Sequence, residues 1–137
     1  MSYLIDTNVL SELRRRDPNA SVLRWMSGRP ASTLYLSVLT LGELRKGIEC
    51  LPEGERKRRL LDWLEVDLAA YFAGRILPVD AAVADRWGRL VARAGRPLPA
   101  IDSLLAATAL THGLTLITRK LKDFQHPDLP VLDPWLA

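Results

Sequence analysis

The stretch YLIDTNVLSEL, residues 3–13, decides the fold class of this chain. Its apolar run Tyr3–Ile5 is typical of a buried strand, and a helical spacing of apolar residues begins after Thr7. Asp6 stands at the junction between the two patterns. In open α/β sheets, ligands bind outside the carboxyl ends of the strands. The stretch therefore predicts a strand that delivers a carboxylate to a ligand-binding edge.

Strand and helix patterns alternate along the rest of the chain. The patterns predict strands at about residues 2–6, 33–37, 76–79, 114–118 and 130–132. The longest helical pattern runs from Glu53 to about Ala73, Asp80 is a predicted N-cap, and Gly113 is a predicted C′ residue. Alternating strands and helices predict an α/β fold with a central, mainly parallel sheet. We expect residues 1–137 to form one domain.

The composition excludes several classes of protein. Hydrophobic residues make up 48% of the 137 residues and charged residues 26%, which is typical of a folded globular chain. No apolar run approaches the length of a membrane helix, and no secretion signal is recognisable. Cys50 is the only cysteine, so no intramolecular disulfide can form and we expect it in or near the core. These features favour a cytoplasmic protein.

Three more acids recur at junctions comparable to that of Asp6, namely Glu43, Asp102 and Asp123. Four carboxylates at one sheet edge repel each other unless a cation lies between them. A divalent metal is the usual solution. Phe124 would fix the position of Asp123 if its ring is buried.

Each acid also has a structural explanation. Asp6 is a good N-cap. Thr40 and Glu43 fit a capping box, which is locally the favoured interpretation, although Glu43 could instead point toward the site. Asp102 falls in the first turn of a helix, where an acid complements the helix dipole. A lone loop acid such as Asp123 is usually only solvated. These explanations do not account for the joint placement of the four acids.

The sequence lacks acids that two rival kinds of protein need. Thr7 and Asn8 could hold the carboxylate or contact a water. Aspartyl-phosphate phosphatases of the haloacid dehalogenase type need a second Asp at the position of Asn8, and receiver-like signalling domains need an early acidic pair. His112 and His126 are isolated, so the chain has no zinc-site spacing.

Four blocks of sequence together resemble the PIN-domain ribonucleases, and within them the VapC-type toxins of bacterial toxin–antitoxin pairs. The blocks are YLIDTNVLSEL, SVLTLGELRKGI, PLPAIDSLLAATAL and LTLITRKLKDF, the last followed by PVLDPW. The resemblance extends from residue 3 to residue 135. It implies a compact α/β/α sandwich, a metal-dependent endoribonuclease activity and an inhibitory VapB-type antitoxin.

The resemblance also implies roles for individual residues. Asp6, Glu43, Asp102 and Asp123 would form the catalytic acidic quartet, with Asp6 and Asp102 as direct ligands of Mg²⁺ or Mn²⁺. Thr7, Asn8 and Thr118 would be supporting polar residues. Lys120 stands where the family often has Asn. Its ammonium could pair with Asp123, hold an RNA phosphate, or weaken a second metal site.

The remaining basic and aromatic residues suggest partners. Arg119, Lys120 and Lys122 would hold RNA phosphates and make binding dependent on salt. Four tryptophans in a small domain favour some exposed aromatic surface, for an antitoxin or a homodimer. The alternative to an enzyme is a catalytically weak module of the same fold that binds RNA or protein, and Lys120 is the local argument for it. The RNA that is cut and the number of metals do not follow from the sequence.

Overall fold

The computed structural model describes all 137 residues and is built around a five-stranded sheet. The strands are β1 (Tyr3–Ile5), β2 (Leu34–Ser37), β3 (Ile76–Leu77), β4 (Thr115–Ile117) and β5 (Val131–Leu132). Their order in the sheet is β3-β2-β1-β4-β5, and every pairing is parallel. The predicted strands are confirmed, and the sheet is entirely rather than mainly parallel.

Helices connect the strands, as a parallel sheet requires. They are α1 (Thr7–Leu13), α2 (Ala20–Ser27), α3 (Val38–Glu49), α4 (Glu55–Asp62), α5 (Ala69–Tyr71), α6 (Ala81–Ala94) and α7 (Ala100–His112). A π-helical stretch, Trp63–Leu68, joins α4 to α5. The long helical pattern predicted for residues 53–73 is therefore one helical segment with a π-helical centre.

Alternating side chains of the strands place a core on each face of the sheet. Ile5 and Ile117 point into the larger core, which is completed by residues of α1 to α5. Leu4 and Leu116 point into the other core, against α7. Both faces are covered, which explains why the strands read as continuous apolar runs rather than as an alternation of apolar and polar residues.

The sheet topology places a crevice at the centre of the molecule. The chain builds outward from β1 to β2 and β3, then crosses back to β4 on the other side of β1. The carboxyl ends of β1 and β4 therefore flank the point where the direction of winding reverses. In open α/β sheets this point is where ligands bind.

Two predicted helix ends are confirmed and one is wrong. The side chain of Asp80 caps α6, and Gly113 ends α7 with a positive φ of 65°. The expected capping box of Thr40 and Glu43 is absent, because α3 starts three residues earlier and the hydroxyl of Ser37 caps it. Thr40 is fully buried within the helix. Glu43 is consequently free to contact another element.

Two further observations concern the surface. Cys50 is exposed at the end of α3, so the expectation of a core cysteine is wrong. No helix is long and apolar enough to cross a membrane.

Candidate functional site

Asp6 is a buried carboxylate at the carboxyl end of the central strand. The side chain is only 2% exposed, although the residue directly follows β1 and precedes α1. Its Oδ1 accepts a hydrogen bond of 2.7 Å from the backbone N–H of Thr7, which makes Asp6 the N-cap of α1. Capping therefore explains one carboxylate oxygen and leaves the other for a different role.

The second oxygen of Asp6 is held by side chains from both sides of the crevice. Oδ2 accepts a hydrogen bond of 2.8 Å from the hydroxyl of Thr118, which follows β4. The amide of Asn8 donates to the same oxygen at 3.3 Å and to the Thr118 hydroxyl oxygen at 3.1 Å. The Asn8 carbonyl accepts from the backbone N–H of Arg119 at 3.3 Å. This network fixes the orientation of Asp6 and supports the role predicted for Asn8 and Thr118.

Glu43 joins the site through Thr7. The Thr7 hydroxyl donates a hydrogen bond of 2.6 Å to Glu43 Oε1, across 36 positions in sequence. Because Thr7 starts α1 and Glu43 lies on α3, this bond ties two helices together beside the crevice. The orientation toward the site, rather than toward the start of its own helix, is the one that the structure shows.

Asp102 lies in the first turn of α7, the helix that covers the other face of the sheet, and it forms an ion pair with Lys120. The Lys120 ammonium lies 3.5 Å from Asp102 Oδ1, with the acid side chain 16% and the lysine side chain 45% exposed. Of the alternatives considered for Lys120, pairing with Asp123 is not observed, and its acidic partner is Asp102. The backbone N–H of Lys120 also donates to the Thr118 hydroxyl at 3.1 Å, which anchors the residue beside Asp6.

The pKa values record how these charges act on each other. Burial raises the pKa of Asp6 above its ordinary value, and the nearby Asp102 carboxylate adds to the rise, against hydrogen bonds from Thr118 and Thr7 and the charge of Lys120. Burial alone would lower the pKa of Lys120, but the carboxylates of Asp102, Asp6 and Glu43 raise it overall. The positive charge of Lys120 therefore interacts with three carboxylates.

The donor set suits a hard divalent cation. The side chains of Asp6, Glu43 and Asp102 all offer carboxylate oxygens, which Mg²⁺ prefers. The Lys120 ammonium supplies the positive charge that a metal ion would otherwise provide. No three of the His, Cys, Asp and Glu side chains lie close enough together to hold a metal ion as they stand. Mg²⁺ does not need three, because it commonly keeps several waters and binds through one or two carboxylates. Asp6 and Asp102 are sufficient by that measure.

Asp123 belongs to an adjoining part of the site. It ends a short 3₁₀ turn, Leu121–Asp123, and is exposed, while Phe124 is 4% exposed and anchors the turn as expected. Asp123 and Asp102 line the same cavity of about 470 Å³. Asp6, Glu43 and Asp102 all raise the pKa of Lys120, and Asp123 is not among the carboxylates that do so. The structure therefore brings together three of the quartet, with the fourth at their edge.

The RNA phosphate contacts of Arg119, Lys120 and Lys122 stay a prediction. The Arg119 guanidinium lies 4.8 Å from the ring centroid of Trp135, and Lys122 is exposed and unpaired. Four arginines that the sequence analysis did not single out line the cavity beside Asp102 and Asp123, namely Arg86, Arg89, Arg93 and Arg96. Their helical spacing was the available signal, but such a run usually marks only a solvated helix face.

Comparison with known proteins agrees with the fold. The profile of the PIN domain family matches residues 3–128. The chain is 36% identical to VapC ribonuclease Y4jK of Sinorhizobium fredii, over 96% of each chain. It is 40% identical to toxin FitB of Neisseria gonorrhoeae, over 96% of this chain and 97% of that protein.

A solved structure shows the same architecture. The crystal structure of FitAcB from Neisseria gonorrhoeae superposes with a TM-score of 0.91 at 38% identity, covering 98% of this chain and 99% of that one. Both the family profile and these relatives span nearly the whole sequence. The chain therefore belongs to the PIN domain family, in its VapC-type branch.

Proposed function

We propose that this chain is a metal-dependent endoribonuclease that acts as the toxin of a toxin–antitoxin pair. The observation that carries the proposal is the network that links three acids at the reversal point of the sheet. Thr7 donates to both Asp6 and Glu43, and Thr118 and Lys120 connect Asp6 to Asp102. Relatives that span the same length are named a ribonuclease and a toxin. Its RNA substrate would place this activity in the cytoplasm.

Asp6 and Asp102 would hold the metal, which is Mg²⁺ in this proposal, with Mn²⁺ as a substitute. Bound there, the cation lowers the pKa of a water and stabilises negative charge on a scissile phosphate. Glu43 would contact the cation directly or through water. Asp6 cannot rotate, because Thr7, Asn8 and Thr118 all donate to its oxygens. This rigidity holds the site ready before a substrate arrives.

The remaining residues act on the substrate and on water. Lys120 carries a positive charge beside Asp102 and is partly exposed, so it can contact a non-bridging phosphate oxygen of RNA. Glu43 is held by the Thr7 hydroxyl through only one oxygen, which leaves the other free to accept a proton or orient a water. Asp123, exposed in the cavity that it shares with Asp102, would complete the acidic quartet.

One observation favours the alternative, a catalytically weak module that binds RNA or a protein partner. The Lys120 ammonium already lies 3.5 Å from the carboxylate of Asp102 and competes with a metal for it. In that case RNA would bind without being cut. Cleavage assays separate the two functions.

The proposed partner is a VapB-type antitoxin. One solved structure similar to this chain is of FitAcB, and a second is of FitAB bound to a DNA fragment. This chain has an apolar groove of about 360 Å³ beside α1 and α2 that includes Trp63 and Tyr71. Exposed aromatic residues are enriched at protein interfaces. Homodimer formation stays a prediction, tested by light scattering of the isolated chain.

The test of the proposed function is cleavage of total RNA by the purified chain with Mg²⁺, with Mn²⁺ and with EDTA. We expect discrete fragments that depend on the metal. Asp6→Asn should keep the N-cap of α1, since the amide oxygen can still accept from the backbone N–H of Thr7. Its NH2 group replaces the oxygen that Thr118 and Asn8 hold, and we expect the cleavage rate to fall by at least about 100-fold. Asp62→Asn is the matched control, because Asp62 is exposed on α4 and makes no ion pair.

Either of two outcomes would contradict the proposal. Undiminished cleavage by Asp6→Asn would remove Asp6 from the catalytic site. Absence of cleavage by the parent chain with every metal, together with retained RNA binding, would favour the binding module.

A further inference from the structure

The cavity that contains Asp102 and Asp123 has a second, basic wall. Helices α6 and α7 and the segment after β4 enclose about 470 Å³, which lies within the range of about 300–1,000 Å³ typical of pockets for small molecules. Its lining is mostly polar. The basic wall consists of Arg86, Arg89 and Arg93 on α6 and Arg96 in the loop that follows. The cavity therefore joins an acidic edge directly to a cluster of guanidinium groups.

Ordinary structural roles account for only part of this cluster. Arg89 pairs with Asp85 on its own helix at 3.0 Å. Arg93 lies in the last turn of α6, where a cation complements the helix dipole. Arg86 is in the middle of the helix and half-buried, and neither it nor Arg96 forms an ion pair. Arg86 and Arg93 are seven positions apart and share one face of the helix.

A nuclease with an acidic centre must overcome repulsion of its own substrate. The carboxylates of Asp102, Asp123 and Asp128, which all line the cavity, disfavour an approaching phosphate, and Lys120 is already engaged with Asp102. Unpaired guanidinium groups in the same cavity offset that repulsion. Their planar donors also match phosphate oxygens in a two-pronged geometry.

We propose that this cavity is a subsite of the RNA substrate, in which Arg86 and Arg93 hold the backbone phosphate of the nucleotide next to the scissile bond. The inference rests on the proposed function, since it assigns the cavity to the same RNA. It differs from the phosphate contacts expected of Arg119 and Lys122, which lie outside this cavity. A polyanion is favoured over a protein partner because the lining is polar and rich in arginine.

The test measures RNA binding separately from cleavage. A fluorescein-labelled single-stranded RNA of mixed sequence is titrated with the chain in EDTA over a series of salt concentrations. We expect the double variant Arg86→Ala/Arg93→Ala to bind about tenfold or more weakly. The slope of log affinity against log salt should fall by about 0.7 for each phosphate contact removed. The charge-matched control is Arg24→Ala/Arg59→Ala, two exposed arginines outside the cavity.

Each outcome decides between the two proposals. If the double variant binds RNA as well as the control pair does, the subsite is wrong, even when the parent chain cleaves RNA. If binding depends on Arg86 and Arg93 but no metal supports cleavage, the subsite stands and the nuclease proposal fails. The single variant Arg93→Ala, at an exposed position, controls for an effect of Arg86→Ala on folding. An unchanged salt slope in that single variant would also overturn the contact assigned to Arg93.

Discussion

At the scale of single residues, Lys120 determines the charge of the site. Its ammonium faces Asp102 directly and also interacts with Asp6 and Glu43, so three negative charges are reduced to two. A single divalent cation balances such a site, whereas two divalent cations would leave it with excess positive charge. In the proposed nuclease Lys120 would therefore favour one bound metal, which would compete with the ammonium for Asp102.

Replacing Lys120 by Asn should strengthen metal binding. The neutral amide removes a positive charge that competes for Asp102, and we expect the affinity for Mn²⁺ to rise about tenfold. Isothermal titration of the purified chain with Mn²⁺ measures both affinity and stoichiometry. Lys122→Asn is the matched control, because Lys122 is exposed two positions later and has no ion pair. Equal or weaker Mn²⁺ binding by Lys120→Asn would contradict the competition.

Residue-scale reasoning from the sequence identified three acids that the fold brings together. Asp6 and Asp102 could be predicted because one follows a strand and the other lies in the first turn of a helix. Glu43 was singled out from a helix start that the structure puts three residues earlier, so it lies in the middle of α3. The partner of Lys120 could not be predicted, since it depends on how α7 packs against the turn after β4. The role of the arginines of α6 could not be predicted either, because no local pattern shows which face of a helix borders a cavity.

At the scale of elements, Glu12 joins two helices through one buried carboxylate. It lies on α1 with 6% exposure, and its Oε2 accepts a hydrogen bond of 2.8 Å from the backbone N–H of Asn19. Asn19 is the N-cap of α2, where its side chain accepts from Ser21 and Val22. The bond from Asn19, followed by the hydrogen bond and charge of Arg15, lowers the pKa of Glu12.

The lowered pKa of Glu12 makes stability depend on pH in one direction. A depressed folded-state pKa contributes stability above the unfolded value, about 4.3, and this contribution is lost as the pH falls through the folded value. Glu12→Gln should therefore lower Tm by roughly 3 °C at pH 7, and the difference should shrink below about pH 4. Thermal unfolding followed by circular dichroism at several pH values measures this. An equal loss in the exposed control Glu55→Gln, or a difference that does not change with pH, would refute the role of the charge.

The elements themselves were the most predictable part of this chain. Strand ends agree within about two residues because apolar runs bounded by polar residues have few alternatives. The start of α3 was misplaced because Ser37 and Thr40 are both good caps, and only the strand before them decides between the two. The π-helical stretch at Trp63–Leu68 could not be predicted, because its buried residues, Leu64 and Leu68, are four positions apart, a spacing that also fits an α-helix.

At the scale of the whole molecule, the apolar groove and the acidic site are connected along α1. Arg14 and Trp63 line the groove and also line an adjoining cavity of about 230 Å³ that reaches Thr7 and Glu43. The Arg14 guanidinium lies 5.0 Å from the ring centroid of Trp63 and forms the border between the two. A chain seated in the groove can thus extend as far as Glu43 of the candidate site without crossing the core.

This continuity predicts how the proposed antitoxin inhibits cleavage. Tyr71 lines the groove and is 47% exposed, so Tyr71→Asp should fold but weaken binding of the cognate VapB-type antitoxin about tenfold or more. RNA cleavage with Mn²⁺, measured at rising antitoxin concentration, should then need correspondingly more antitoxin for inhibition. Val66→Asp is the matched control, because Val66 is 62% exposed on the same helical segment but lies outside the groove. Equal inhibition of the two variants would place the antitoxin elsewhere, whereas selective resistance of Tyr71→Asp would link the groove to the acidic site.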